Sequence, residues 1–188
     1  MRLALYGGSF DPIHHGHLIL ARDAREQLRL DRVIFLPAAV SPHKPHLQPA
    51  PPEVRREMVR AAIADEPGFE LDDWELGRVG PSYSIDTAEH MRARFPDAEL
   101  FYLVGHDNIA QLPTWRRFET LSRLVQFVVF GRGDSAPPHP YPRLERRLDI
   151  SATEIRERVA RKASIRYLVP DAVRNLIERH QLYQEHRH

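Results

Sequence analysis

The chain has 188 residues, of which 27 are basic, 26 acidic and 42% hydrophobic. This length suits one buried core, so we predict a single domain over residues 1–188. The balanced charge excludes the broad basic surface that binds nucleic acid or an anionic membrane. Cysteine is absent, which excludes disulfides and thiolate metal sites. With no signal-peptide layout and no long apolar run, the sequence predicts a cytoplasmic protein.

Short apolar runs alternate with helical patterns along the chain. The predicted strands are 2–6, 32–36, 69–71, 100–104 and 125–130. The predicted helices are 16–30, 53–64, 84–94, a segment after residue 115, 152–160 and 171–180. Apolar strands alternating with helices predict an α/β fold, a Rossmann-like doubly wound parallel sheet with helices on both faces and C-terminal helices. Ligands of such sheets bind beyond the carboxyl ends of the strands.

An anion site is predicted where the first strand meets the first helix. Gly7-Gly8 ends the strand and lets the backbone approach a ligand, and the helix that opens near Gly16 directs free N–H groups into the same crevice. His14 and His17 lie on one helical face, where both reach the same phosphate chain. The alternative is a metal site that adds Asp11, but no other motif supplies a further ligand.

A second helix start carries phosphate-binding side chains. Ser151 and Glu154 have the spacing of a capping box, in which each side chain bonds the other residue's backbone N–H. Capping gives no reason for Thr153 or for Arg156 one turn later. A triphosphate does, because hydroxyls, a guanidinium and a helix N-terminus all bind phosphate oxygens.

These two segments, 7–17 and 150–156, resemble the two motifs of the nucleotidyltransferase superfamily. The resemblance implies that His14, His17 and Arg156 are catalytic through charge stabilisation during adenylyl or cytidylyl transfer. It implies an ATP site formed by Gly7, Gly8, Ser9, Phe10, His14, His17, Arg132, Ser151, Thr153 and Arg156. Arg132 corresponds to a family position near the adenosine, although its glycine-rich loop departs from the commoner arginine-proline form.

The middle of the chain resembles the bacterial nicotinate mononucleotide adenylyltransferases, in the segments 42–44, 82–87, 104–108 and 115–116. This likeness implies transfer of the adenylyl group of ATP to nicotinate mononucleotide, giving nicotinate adenine dinucleotide and pyrophosphate. It implies a mononucleotide site formed by Ser9, His43, Lys44, Tyr83, Ser84, Thr87, Asp107 and Trp115. Trp115 has the alternative of a core position, and Ser84 that of a helix-capping role.

The implied chemistry needs no general base, because the attacking phosphate oxygen is already ionised. Mg²⁺ is expected, carried mainly by the ATP phosphates, with no dedicated protein metal site. The open alternatives are a nicotinamide mononucleotide or phosphopantetheine adenylyltransferase, a non-catalytic nucleotide-binding module and a zinc-dependent hydrolase. The choice between acid and amide mononucleotide, the role of His106 and the oligomeric state, monomer or homo-oligomer, stay open.

Overall fold

The computed structural model describes residues 1–39, 49–78, 80–131 and 139–184. In this part of the chain six strands form one sheet: β1 Arg2–Gly8, β2 Arg32–Pro37, β3 Phe69–Leu71, β4 Glu99–Gly105, β5 Gln126–Gly131 and β6 Arg143–Glu145. All neighbours are parallel, in the order β3-β2-β1-β4-β5-β6. This is the strand order of the doubly wound dinucleotide-binding sheet, which confirms the predicted fold class.

Helices lie between and after the strands. Their bounds are α1 His15–Gln27, α2 Pro52–Ile63, α3 Ser84–Arg94, α4 Phe118–Leu124, α5 Ala152–Ala160 and α6 Asp171–Arg179, with 3-10 helices at Trp74–Gly77 and His106–Thr114. The bounds of β3, α3 and α5 are those that the sequence predicts. No helix within the described ranges combines the length and the apolar character needed to cross a bilayer.

The sheet divides the core into two layers. Along β1, Ala4 and Tyr6 belong to the layer packed under α1, α2, α5 and α6. Leu3 and Leu5 belong to the layer packed under α3 and α4. Successive strand residues point to opposite faces, so burial of both sets confirms that the sheet is covered on both sides.

Two strand predictions differ from the structure. The sequence predicts that β1 ends before Gly7-Gly8, but both glycines continue the strand, paired with Leu36 and Pro37 of β2. A glycine pair was interpreted as a turn, whereas ladder hydrogen bonds to β2 hold it extended. The short edge strand β6 was not predicted, because only Leu144 of its three residues is buried and the others are charged.

The order in which strands are added to the sheet reverses between β1 and β4. These two strands are neighbours although β2 and β3 come between them in sequence. β2 and β3 extend from one side of β1, and β4 to β6 from the other. Their connections leave the carboxyl edge in opposite directions, which opens a crevice at this point. Gly8 at the end of β1 and Gly105 at the end of β4 both line the resulting cleft.

Candidate active site

The cleft at the carboxyl edge has two adjoining chambers, of about 860 Å³ and about 540 Å³. Both chambers are lined by Tyr6, Gly8, Ser9, Ala38 and Gly105. The larger chamber contains both predicted phosphate motifs, and the smaller contains Trp115 and the start of α3. The fold therefore gathers four separate sequence segments at one site.

His14 and His17 lie against each other in the larger chamber. Their rings stack with centroids 3.7 Å apart, and His14 is only 6% exposed. The His14 backbone N–H donates to His17 Nδ1 at 3.2 Å. In the neutral ring this bond places the His17 proton on Nε2. The predicted neighbourhood of the two histidines is what the structure has.

Gly16 is required by the position of the His14 ring. A Cβ atom on Gly16 would lie 2.9 Å from His14 Nδ1, closer than real Cβ atoms come. His14 precedes α1 in an extended conformation, so its ring folds back over the first turn of the helix. The glycine between the two histidines thus makes room for one of them, rather than only for a ligand.

A hydrogen bond joins the two phosphate motifs across 145 residues. Arg156 Nη1 donates to the carbonyl oxygen of Asp11 at 2.8 Å, and Nη2 donates to Thr153 Oγ1 at 3.2 Å. Ser151 Oγ accepts from the Glu154 N–H at 3.1 Å, as predicted. The Glu154 carboxylate, predicted to reach back to the Ser151 N–H, lies 3.9 Å from Arg158 Nη1.

Arg55 on α2 supports the floor of the cleft and was not predicted. It is fully buried, and its guanidinium donates to four carbonyl oxygens, those of Ala50, Ser9, Ala38 and Ala39, at 2.7–3.2 Å. Burial lowers the pKa of the guanidinium, and Asp11 opposes that shift. The sequence pattern of an amphipathic helix gives no signal for such a residue, because an arginine on α2 is expected at the surface.

The smaller chamber has an aromatic wall around Trp115. The Trp115 ring meets Tyr102 and Phe127 edge to face, with centroid distances of 6.0 and 6.4 Å. Tyr102 donates its hydroxyl to Ser84 Oγ at 2.9 Å, and burial raises the pKa of that hydroxyl. Arg116 lies 4.7 Å above the Tyr83 ring, which puts a cation in the same chamber. Trp115 therefore combines core packing with a place on the cavity wall.

Glu75 places a buried carboxyl group in this chamber, another feature that the sequence analysis missed. It is 5% exposed and accepts a hydrogen bond from the Thr87 hydroxyl. Burial raises the pKa of Glu75, although hydrogen bonds from Thr87 and Ser82 counteract the shift. Ser82 also accepts from the Ala39 N–H at 3.1 Å, so the carboxyl group anchors a turn that connects the two chambers.

The buried carboxyl makes stability depend on pH. Because the pKa of Glu75 in the folded protein is raised above 4.5, stability falls as pH rises from that value through the folded pKa. Glu75→Gln removes this titration and keeps an acceptor for Thr87. We expect the variant to gain free energy of unfolding relative to the parent between about pH 5 and about pH 8. Urea unfolding at both pH values measures this gain, and Glu157→Gln, at an exposed position, is the control. If the stability of Glu75→Gln changed with pH as that of the parent does, the raised pKa of Glu75 would be contradicted.

The structure distributes the other predicted residues unevenly. Ser9 lies in both chambers, and Gly7, predicted for ATP, lies in the smaller one. Phe10 is 2% exposed and packs against His17 at 5.1 Å, which makes it a support for that ring. Asp107 lies in the larger chamber and pairs with His106 Nε2 at 2.7 Å.

The position of Thr87 does not support its predicted contact with the mononucleotide. Its side chain is fully buried beneath the smaller chamber, bonded to Glu75, because it faces the core side of α3 rather than the cleft. Three further predicted residues, His43, Lys44 and Arg132, lie outside the described residues. Within the described ranges no group of three histidine, aspartate or glutamate side chains is arranged to hold a metal ion.

Comparison with known proteins gives the family. A sequence model described as Cytidylyltransferase-like matches residues 5–158. A protein named as a probable nicotinate-nucleotide adenylyltransferase in Thermus thermophilus is 44% identical, covering 98% of this chain and 100% of its own. A protein of the same name in Citrifermentans bemidjiense is 40% identical, with full coverage of both chains. The chain belongs to the nicotinate-nucleotide adenylyltransferase family. The resemblance seen in the motifs is thereby confirmed.

Solved structures agree with this family in fold. Plasmodium falciparum nicotinic acid mononucleotide adenylyltransferase complexed with NaAD superposes with a TM-score of 0.76, covering 97% of each chain at 18% identity. The same enzyme complexed with APC gives a TM-score of 0.74. At this identity the superposition shows a shared architecture, and the assignment to the family rests on the full-length sequence relatives.

Proposed function

We propose that this enzyme transfers the adenylyl group of ATP to nicotinate mononucleotide, releasing pyrophosphate and forming nicotinate adenine dinucleotide for NAD biosynthesis in the cytoplasm. The observation that carries the proposal is the bond from Arg156 to Asp11, which joins both phosphate motifs at the mouth of one sheet. The name and full-length coverage of the relatives support the same activity. The two adjoining chambers supply space for two nucleotides.

The larger chamber would hold the triphosphate. A phosphate oxygen of the mononucleotide attacks the α-phosphorus of ATP in line, and the bond to the bridging oxygen of the leaving pyrophosphate breaks. Negative charge grows on that pyrophosphate, within reach of His17 Nε2 and the Arg156 guanidinium. Fixed donors of this kind act mainly by stabilising charge that develops in the transition state.

The smaller chamber would hold the pyridine ring and its carboxylate. Trp115 offers an aromatic face, and its ring packs edge to face against two neighbouring rings. The Trp115 backbone N–H is already bonded to the Leu112 carbonyl oxygen, so it is not available to a carboxylate. The N–H groups of Ser84 and Ile85, the first two of α3, precede the first helical hydrogen bond, which the Asp86 N–H makes to the Tyr83 carbonyl oxygen, and they suit a carboxylate.

Mg²⁺ is proposed as the cofactor, carried by the ATP phosphates. The residues present fit an ion that is held by the phosphates rather than by the protein, because Asp11 Oδ1 already accepts from the Ala50 N–H and the Tyr183 hydroxyl. Asp107 is 72% exposed in its side chain and is available only as a peripheral oxygen donor. Mg²⁺ keeps much of its water and needs few protein ligands, and it would neutralise charge on the phosphates.

A pyrophosphate-release assay tests the proposed function. The protein with ATP and Mg²⁺ is given nicotinate mononucleotide, nicotinamide mononucleotide or phosphopantetheine in separate reactions. We expect the highest kcat/KM with nicotinate mononucleotide. A higher kcat/KM with either other acceptor would replace the proposed substrate, and the absence of pyrophosphate with all three would leave only nucleotide binding.

Trp115→Ala separates the two chambers. Base stacking on an aromatic side chain is worth enough that its loss raises the KM for the mononucleotide by about tenfold or more. The KM for ATP is expected to stay close to that of the parent, because Trp115 lines only the smaller chamber. Steady-state kinetics with each substrate varied in turn measures both constants.

The other tryptophan of the chain provides the control. Trp74 stacks on His90 at 4.3 Å and lines neither chamber. Trp74→Ala removes the same side chain and is expected to leave both KM values unchanged. If Trp115→Ala raised the KM for ATP alone, each substrate would have been assigned to the wrong chamber.

A further inference from the structure

The C-terminal segment reaches the phosphate motif. After α6 the chain turns back, and the Leu182 N–H bonds the Ile177 carbonyl oxygen at 3.0 Å. The Tyr183 hydroxyl then donates to Asp11 Oδ1 at 2.6 Å, across 172 residues of sequence. Tyr183 itself is only partly exposed and packs against the core layer that contains α1 and α2.

Asp11 is the point at which this segment meets the site. Its Oδ1 atom accepts from Tyr183 and from the Ala50 N–H at 3.1 Å, so the carboxylate is held from two directions. Its carbonyl oxygen accepts from Arg156 Nη1. The side chain is 9% exposed, and the residue follows Phe10, whose φ of 45° is in the left-handed region.

Two of the Arg156 contacts are internal and fix its orientation. One guanidinium nitrogen is directed at Asp11 and the other at Thr153, which fixes the plane of the group. A guanidinium has five N–H donors in a rigid plane, so donors beyond these two remain for phosphate. A shift of the Asp11 backbone would rotate that plane.

We propose that Tyr183 is a positioning residue for triphosphate binding: its hydroxyl holds Asp11 in place, and the Asp11 carbonyl in turn orients Arg156 toward ATP. The inference rests on the proposed function only in assigning Arg156 to the phosphates. It gives the C-terminal segment a role in the active site, although that segment carries neither phosphate motif.

Tyr183→Phe tests the proposal, because it removes one hydroxyl and keeps the packing. ATP binding is measured by titration calorimetry, and the KM values for ATP and for mononucleotide by kinetics. The lost hydrogen bond fixes Asp11, whose carbonyl oxygen orients the Arg156 guanidinium. We therefore expect ATP binding to weaken by about tenfold. The KM for the mononucleotide is expected to be unchanged.

Tyr167→Phe is the matched control. Tyr167 also has a left-handed backbone, with φ 68° against 60° for Tyr183, but it is 78% exposed. The same hydroxyl is therefore removed in the same backbone conformation, away from the cleft. This variant is expected to bind ATP as the parent does.

A double-mutant cycle with Arg156→Ala separates positioning from general stability. If Tyr183 acts through Asp11 and Arg156, Tyr183→Phe causes no further loss of ATP affinity once Arg156 is removed. The proposal is overturned if Tyr183→Phe binds ATP as Tyr167→Phe does. It is also overturned if its loss is equal for both substrates or persists in full in the Arg156→Ala background. A failure of nicotinate mononucleotide as acceptor would overturn the proposed function. The role of Tyr183 would still be tested, because its readout is the affinity for ATP.

Discussion

Replacing His17 with alanine is expected to lower kcat by about 10² or more while the fold stays intact, as loss of a transition-state charge stabiliser does. The backbone bond from His14 places the His17 proton on Nε2, in the chamber assigned to the triphosphate. The ring is held by Phe10 and by stacking on His14. Single-turnover and steady-state kinetics measure the loss.

Two companion variants make this result specific. His15→Ala removes a neighbouring histidine that lines neither chamber, and it is expected to keep the parental kcat. His17→Gln supplies a side chain that is favoured at this helical position and accepts from the His14 N–H. We expect His17→Gln to recover stability and to leave kcat low. Near-parental turnover in His17→Ala would remove His17 from the mechanism.

The second large effect is expected for Arg55→Met. This change leaves four backbone carbonyl groups at the cleft floor without their fully buried donor. A buried acceptor that loses its partner costs about 1–3 kcal/mol, so the loss of four hydrogen bonds is expected to cost several kcal/mol of the free energy of unfolding. That is a large fraction of the total stability of a domain, so urea unfolding should show an early midpoint.

The adjacent residue of α2 is the control. Arg56 carries the same side chain at 43% exposure and contacts Asp73 at 3.4 Å, so Arg56→Met is expected to cost less than about 1 kcal/mol. The stability of Arg55→Lys is expected to be close to that of Arg55→Met, because one ammonium group cannot reach all the carbonyl oxygens that the planar guanidinium bonds. Equal stability of Arg55→Met and Arg56→Met would show that the cleft floor does not depend on this network.

Local patterns predicted most of the fold. Neighbouring residues are enough to identify β2, β5 and α3. Burial on both faces gives a strand a continuous apolar run, and burial along one stripe gives a helix its spacing of apolar residues. The short strand β6 was missed because one buried side chain, Leu144, makes no period. The extended conformation of Gly7-Gly8 was also missed, because a glycine pair has the composition of a turn and only pairing with β2 keeps it straight.

The phosphate motifs were identified from sequence because their chemistry lies within a few residues of one another. His14 with His17, and Thr153 with Arg156, are each one helical turn apart, and local geometry brings them together. Glu75, Arg55 and Tyr183 gave no such signal. Arg55 and Glu75 are residue types that usually lie at the surface, and only tertiary packing buries them. Tyr183 lies far along the chain from both motifs, and only the fold brings it to Asp11. Thr87 was assigned to the ligand for the converse reason, since its motif does not reveal which face of α3 it occupies.

By itself, then, the sequence determined the parallel sheet, the family and the two helix starts assigned to phosphate, because hydrophobic period and motif spacing are local properties. Tertiary structure decided which residues support them. The strand order brings Asp11, Arg156 and Tyr183 within hydrogen-bonding distance although up to 172 residues separate them. It also buries Arg55 and Glu75, whose side chains then form hydrogen bonds with carbonyl groups and a hydroxyl. Such contacts depend on how elements pack across the sheet, which no short stretch of sequence records.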